Sequence, residues 1–184
     1  MPGSNVFIRP LYRVYERRLL RSLDRSRLPR HVGVIHDGHR RFSRAARLPD
    51  YEAGYRIGMD KFLELLGWAG ELQIPAVTCW LLSQENLERP AAGLEPYFTV
   101  LAELFDRIPE AAGRHDFAVR FIGSLDLLPA GLVAAAKRLE ERRASGRFRL
   151  TIALAYGGRQ EIVDAARDLV SGLVDEGIPP DAIA

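Results

Sequence analysis

His31-Val-Gly-Val-Ile-His-Asp-Gly-His-Arg-Arg-Phe42 is the stretch on which the reading of this chain turns. Val32, Val34 and Ile35 form a short β-branched run and predict a buried strand over residues 31–36. Asp37-Gly38 breaks the run, and the glycine permits a tight turn and close backbone approach to a ligand. His39, Arg40 and Arg41, with Arg44 and Arg47 further on, then crowd positive charge onto what reads as the start of a helix. A strand ending in a carboxylate, a glycine and guanidinium groups suits a phosphate ester with its metal. Backbone N–H groups at the helix start and forked arginines hold phosphate oxygens. The aspartate holds a hard cation such as Mg²⁺. The same letters also describe an ordinary Asp-Gly turn followed by solvated arginines, so the stretch needs its context.

Upstream, residues 10–27 predict a helix, with Leu11, Tyr15, Leu19 and Leu23 at four-residue steps and Arg13, Arg17, Arg21 and Arg25 along another face. Residues 1–30 hold eight arginines against Glu16 and Asp24, a local +6 in a chain whose net charge is +2. A basic amphipathic arm of this kind could lie on a membrane surface or dock with its arginines in water. Downstream, residues 43–50 read as a loop and 52–70 as a helix with Met59, Phe62, Leu63, Leu66 and Ala69 inward. Ile74 to Leu82 predicts a strand buried on both faces, ending in Ser83-Gln84-Glu85-Asn86. A helix over 94–108, a strand over 117–122, a helix over 129–143 and a strand over 148–154 follow. The last strand ends in Tyr156-Gly157-Gly158-Arg159. A helix over 160–174 comes next, with Ile162, Val163, Ala166 and Val170 inward.

Strand and helix alternate throughout, which predicts an α/β domain with a central, mostly parallel β-sheet flanked by helices. Ligands bind such sheets outside the carboxyl ends of the strands. Three strands end in polar or glycine-rich clusters, so one shared anion site at that edge is expected. Composition agrees with a globular chain: 47% apolar, 27% charged and no apolar run near the roughly 20 residues of a membrane span. Val6-Phe7-Ile8 is too short for a signal peptide. The single Cys79 fits a reducing cytoplasm and a place in the core, and one cysteine with four histidines gives no structural zinc set. His31, His36 and His115 read as structural or solvent-exposed. A nucleic-acid-binding domain is a weaker alternative prompted by the basic arm, and a salt-dependent binding assay would dispose of it.

The clusters and their order resemble the cis-prenyltransferases, the undecaprenyl diphosphate synthase family. The resemblance rests on His31–Phe42, Ser83-Gln-Glu-Asn-Leu-Glu-Arg-Pro90, Val119-Arg-Phe-Ile-Gly123 and Ile152-Ala-Leu-Ala-Tyr-Gly-Gly-Arg-Gln-Glu-Ile162. It covers residues 28 to about 175 and implies a basic arm over 1–30 followed by a prenyltransferase domain over 31–184. It further implies a hydrophobic substrate tunnel beside the sheet, a cytoplasmic homodimer, and Mg²⁺-dependent condensation of an allylic diphosphate with isopentenyl diphosphate. By position, Asp37 would handle the metal and the departing diphosphate. Gly38, His39, Arg40 and Arg41 would cradle the allylic diphosphate, with Phe42 and Tyr55 in the same substrate region. Ser83 and Asn86 would serve proton removal and positioning, and Arg89 would support the phosphates. Leu81, at the strand end where the tunnel begins, should limit the product to about three isoprene units.

The sequence departs from the family pattern at His39 (usually Asn), Phe42 and Leu87 (Trp), Tyr55 (often His), Ser124 (Asp) and Ala155 (Asn). His39 leaves open a head-to-middle coupling of two allylic diphosphates, such as dimethylallyl diphosphate, to a branched lavandulyl-type product. The family's arginine- and serine-rich C-terminal motif is not among these residues. Pro179-Pro180-Asp181-Ala182-Ile183 reads as a helix beginning, so a C-terminal continuation is expected. A non-catalytic partner subunit is the remaining alternative.

Overall fold

The four strands of the described residues join one parallel sheet: β1 (His31–Ile35), β2 (Ala76–Trp80), β3 (Phe117–Ile122) and β4 (Phe148–Ala153). The order is β1-β2-β4-β3, so β4 enters between its two predecessors. The structure is a computed structural model and describes residues 8–175. The helices are α1 (Ile8–Ser22), α2 (His39–Ala45), α3 (Tyr51–Glu71), α4 (Ala91–Arg114), α5 (Ala130–Arg142) and α6 (Gly158–Asp175). The sequence-predicted helix start at 179–183, and residues 6 and 7 of the N-terminal apolar triplet, lie outside the described residues.

The core forms on one face of the sheet. Val77, Cys79, Phe117, Val119, Leu150 and Ile152 pack against Phe62 and Leu66 of α3, Leu101, Leu104 and Ile108 of α4, and Leu139 of α5. On the other face Arg120 and Arg149 are exposed and Thr78 and Thr151 half-buried. The strand pleat puts alternate residues on opposite faces, so β2 is buried on one face only and not, as its apolar content suggests, on both. β1 departs further from the sequence reading. It is an edge strand, with Val32 and Val34 half-buried and Ile35 69% exposed.

Other boundaries moved for identifiable reasons. α1 stops at Ser22, because Asp24 accepts hydrogen bonds from the Ser26 amide and hydroxyl and caps a separate 3-10 turn at Arg25–Arg27. α2 runs into the segment read as loop, since Ser43 buries its side chain and donates to the His39 carbonyl at 2.9 Å. α4 continues through Pro109, which lacks an N–H; burial of Ile108 and Ala112 offsets the lost hydrogen bond. Arg56 ties α3 to α4 through a forked pair of bonds to Glu103 at 2.7 and 3.0 Å. The residues of α6 read as inward, Ile162, Val163, Ala166 and Val170, are exposed, with no described element packed on that face.

Ala155, buried at the end of β4, has φ +47°. An L-residue with a Cβ is disfavoured there. Ala155→Gly is expected to stabilise the protein by about 1 kcal/mol in urea denaturation. A destabilisation would show that packing of the alanine methyl outweighs the backbone strain.

Candidate active site

The chain leaves β1 with one more ladder bond, from the His36 N–H to the Trp80 carbonyl at 3.0 Å, and then turns. The turn requires Gly38, whose φ of +94° lies in the left-handed region. α2 begins at His39 and is seven residues long, so its dipole is small and the guanidinium groups supply most of the positive potential. α2 sits close on α3 because Gly54 and Gly58 offer it no side chains: a Cβ on Gly54 would lie 1.9 Å from Ser43 Oγ, and one on Gly58 2.1 Å from His39 Cε1.

The neighbouring strand supplies the second half of the site. After Trp80, Leu81 and Leu82 are buried, and Ser83 Oγ accepts from the Asn86 amide at 3.3 Å to start a 3-10 turn over Gln84–Glu88. The Arg89 guanidinium donates to Asn86 Oδ1. The Tyr97 hydroxyl, from α4, donates to the Leu81 carbonyl at 2.5 Å. Burial pushes the Tyr97 phenol pKa up, with Tyr55 contributing in the same direction; burial raises Tyr55 too, opposed by the charges of Arg40 and Arg89. Both phenols are therefore protonated near neutral pH.

These two strand ends share one cleft of about 490 Å³. Of the residues proposed from sequence, it gathers Asp37, Gly38, His39, Arg40, Arg41, Tyr55, Leu81, Ser83, Asn86 and Arg89. Phe42 is the exception: it is 43% exposed and does not line the cleft, because the α2 turn carries it outward. The cluster at Tyr156-Gly157-Gly158-Arg159 also stays out of the lining. β2 is flanked by β1 on one side and β4 on the other, so the third cluster meets Ser83 through a bridge at Tyr156 rather than facing Asp37. The expected shared site is thus built from two strand ends.

Four residues lining the cleft, Arg44, Trp80, Leu94 and Tyr97, had no assigned role from sequence beyond the positive charge noted at Arg44 and the helical apolar spacing at Leu94. Tyr97 could have been noticed as a polar aromatic on an apolar helix face. His36, read as structural or exposed, is half-buried in the cleft: its Nε2 is 2.9 Å from the Gly58 carbonyl and its Nδ1 3.1 Å from His39 Nε2. Burial first, and His39 second, push the His36 imidazole pKa down to about 4. Burial lowers His39 as well, opposed by its bond to the His36 carbonyl and by the charge of Asp37. His31 is exposed and paired with Thr78, and Cys79 is fully buried as expected.

The charge pattern is one-sided. Among the described residues, Arg40, Arg41, Arg44 and Arg89 line the cleft with a single acidic residue, Asp37, which pairs with Arg41 at 3.1 Å and is 71% exposed at the side chain. Leu81, Leu82, Leu94 and Tyr97 form an apolar wall next to these groups. A cationic rim beside a dry wall suits a molecule with an anionic head and a hydrocarbon tail.

The undecaprenyl diphosphate synthase family model matches residues 35–182. A tritrans,polycis-undecaprenyl-diphosphate synthase (geranylgeranyl-diphosphate specific) of Methanopyrus kandleri is 41% identical over 97% of this chain and 66% of its own length. A (2Z,6E)-farnesyl diphosphate synthase of Thermobifida fusca is 44% identical over 88% of this chain and 62% of its own length. The chain therefore spans just under two thirds of these relatives. Among solved structures, lavandulyl diphosphate synthase of Lavandula x intermedia, in complex with dimethylallyl diphosphate, superposes with a TM-score of 0.76 at 29% identity, covering 85% of this chain and 67% of that one.

Proposed function

The chain belongs to the undecaprenyl diphosphate synthase, or cis-prenyltransferase, family, and from that premise we propose that it is a transferase of isoprenoid biosynthesis. It condenses an allylic diphosphate with isopentenyl diphosphate to a short-chain Z-prenyl diphosphate of about C15. The carrying observation is the single cleft in which Asp37 and the four arginines adjoin Leu81, Leu82, Leu94 and Tyr97. In this reaction the allylic carbon–oxygen bond breaks and its electrons leave with diphosphate. The isopentenyl double bond then attacks the allylic carbon, and a proton is lost. Arg40, Arg41, Arg44 and Arg89 hold the anionic groups, and the apolar wall keeps water from the cation. Ser83 and Asn86, which line the same cleft, handle the acceptor and its departing proton in this reading.

Among the described residues no group of three or more His, Cys, Asp or Glu side chains forms a metal cage. The exposed Asp37 carboxylate instead fits Mg²⁺ in its usual manner, with few protein ligands and the remainder from substrate phosphates. When bound, the ion neutralises charge on the departing diphosphate.

The decisive assay supplies Mg²⁺ and dimethylallyl or geranyl diphosphate, with and without isopentenyl diphosphate, followed by dephosphorylation and identification of the alcohols. A linear Z-prenol that requires isopentenyl diphosphate is expected. A branched alcohol from allylic diphosphate alone would favour head-to-middle coupling, the reading supported by His39 in the cleft and by the lavandulyl diphosphate synthase likeness. No product under either condition would leave the partner-subunit reading.

Leu81 lines the cleft and is 5% exposed. Leu81→Ala should lengthen the main product beyond C15 while costing about 2–4 kcal/mol of stability. An unchanged product length would remove Leu81 from chain-length control. The working protein is a homodimer in this reading. α1 exposes Tyr12, Tyr15 and Leu19 beside arginines, which supports contact with an anionic bilayer surface. No helix among the described residues is long and apolar enough to cross a membrane.

A further inference from the structure

His36 and His39 bracket the Asp37-Gly38 turn, and their hydrogen bonds run in one direction only. His39 Nε2 lies 3.1 Å from His36 Nδ1 and also 3.1 Å from the His36 carbonyl oxygen. A carbonyl oxygen can only accept, so His39 Nε2 carries the hydrogen and His36 Nδ1 is the bare acceptor. The proton of His36 then sits on Nε2, which donates to the Gly58 carbonyl at 2.9 Å. The result is a chain from the first residue of α2, through the end of the β1 line, to the backbone of α3.

The rings are fixed by packing as well. Their centroids are 4.5 Å apart, Phe62 meets His36 edge-on at 6.0 Å, and Tyr55 meets His39 edge-on at 5.9 Å. Gly58 contributes twice. Its carbonyl is the terminal acceptor, and its missing side chain leaves the space that the His39 ring fills: a Cβ there would stand 2.1 Å from Cε1 and 2.2 Å from Nδ1. Asp37, by contrast, has little packing of its own and one partner, Arg41, on the exposed side. The backbone position from which its carboxylate projects is set by the turn, and the turn is held at both ends by the imidazole pair.

We propose that His36 is a positioning residue which, anchored on Gly58 and acting through His39, fixes the Asp37-Gly38 turn and so aims the Asp37 carboxylate at a bound diphosphate head group. The proposal rests on the diphosphate reading of the cleft.

The test combines imidazole ¹⁵N NMR with steady-state kinetics, using dimethylallyl diphosphate, isopentenyl diphosphate and Mg²⁺. In the wild-type protein both His36 and His39 should show the Nε2-protonated tautomer. His36→Leu removes the ring acceptor and the anchor on Gly58, leaving His39 Nε2 only the His36 carbonyl, and should lower kcat/KM on the order of 10–100-fold, mostly in kcat, with a shifted His39 Nε2 resonance. Gly58→Ala displaces the His39 ring by an independent route and should do the same. His36→Asn places an amide oxygen near the position of Nδ1 and should recover kcat to within about threefold of wild type. His36→Gln, whose amide reaches instead toward Gly58, should not. Melting temperatures separate these effects from unfolding, and the contrast between Asn and Gln decides the matter if the leucine variant fails to fold.

Wild-type kcat/KM in both His36→Leu and Gly58→Ala, equal rates in the Asn and Gln variants, or a His39 signal protonated on Nδ1 would overturn the proposal. Wild-type protein that shows the expected tautomers but neither turns over prenyl diphosphates nor binds inorganic diphosphate would overturn the functional reading, and the proposal with it.

Discussion

Asp37→Asn is expected to lower kcat/KM for prenyl transfer by on the order of 10³-fold while leaving the melting temperature nearly unchanged. The two halves of this result come from the same geometry. Asp37 projects from a turn at the cleft, its side chain is 71% exposed, and its ion partner Arg41 is 75% exposed. An ion pair that open contributes at most about 1 kcal/mol to folding. The carboxylate therefore has little structural role to lose. It is nevertheless the one acidic group, among the described residues, lining a cleft that carries four arginines. Asparagine keeps its size and its turn preference and removes only the charge, so a Mg²⁺ ion brought in with substrate would lose its protein ligand. The Mg²⁺ concentration for half-maximal rate should rise in step, and chelation with EDTA should abolish the wild-type activity. Activity within a few-fold of wild type at ordinary Mg²⁺ would show that the aspartate faces the cleft without taking part. A matching loss of melting temperature would show that the Arg41 pair, and not the chemistry, explains the defect.

The features legible in the sequence were those set by local pattern. The apolar runs at Val32–Ile35, Val77–Cys79, Phe117–Phe121 and Leu150–Ile152 are short and β-branched or aromatic, and helical spacing separates them; this is enough to give four strands and a parallel sheet. Asp37-Gly38 and Ser83–Asn86 were legible as candidate site segments because polar residues at the ends of apolar runs need a reason. Pairwise geometry was not legible. Nothing local shows that β4 inserts beside β2 and separates Tyr156 from Asp37, or that β1 lies at an edge with Ile35 in the open. The orientation of α6 failed for a related reason: its apolar spacing is real, but spacing identifies a stripe and not what covers it. His36 was missed because its partner is the carbonyl of Gly58, twenty-two residues away, and a backbone acceptor leaves no mark in the amino-acid letters. Gly58 itself reads as a weak point in a helix. Only the placement of α2 shows that it is the space the His39 ring occupies.

Acidification from pH 6.5 to 4.5 should weaken the fold by on the order of 2 kcal/mol through His36, a loss that a His36→Leu variant should not show. The sign follows from the proton balance. A histidine in the unfolded chain titrates near 6.5, and burial beside His39 pushes native His36 down to about 4. Above pH 6.5 the ring is neutral in both states and its contribution is fully present. As pH falls below 6.5 the unfolded chain takes up a proton that the folded ring refuses, so stability declines until the folded ring titrates as well. His39 is displaced in the same direction and adds to the slope. Glu103, Asp24 and Glu85, whose pKa values are lowered by hydrogen bonds, act with the same sign once the unfolded chain's carboxylates begin to take up protons towards pH 4.5, so the decline in the upper part of the window belongs to the imidazoles and the difference from His36→Leu removes the carboxylates in the lower part. Urea denaturation of wild type and His36→Leu at pH 7.0, 6.0, 5.0 and 4.5 reads the effect directly as a difference of slopes. Leucine also removes the donor to the Gly58 carbonyl, so the variant starts from a different stability at pH 7, and the comparison concerns the slope and not the intercept. Parallel curves would mean that water reaches the imidazole pair freely, and that the seat of the Asp37-Gly38 turn is looser than its hydrogen bonds indicate.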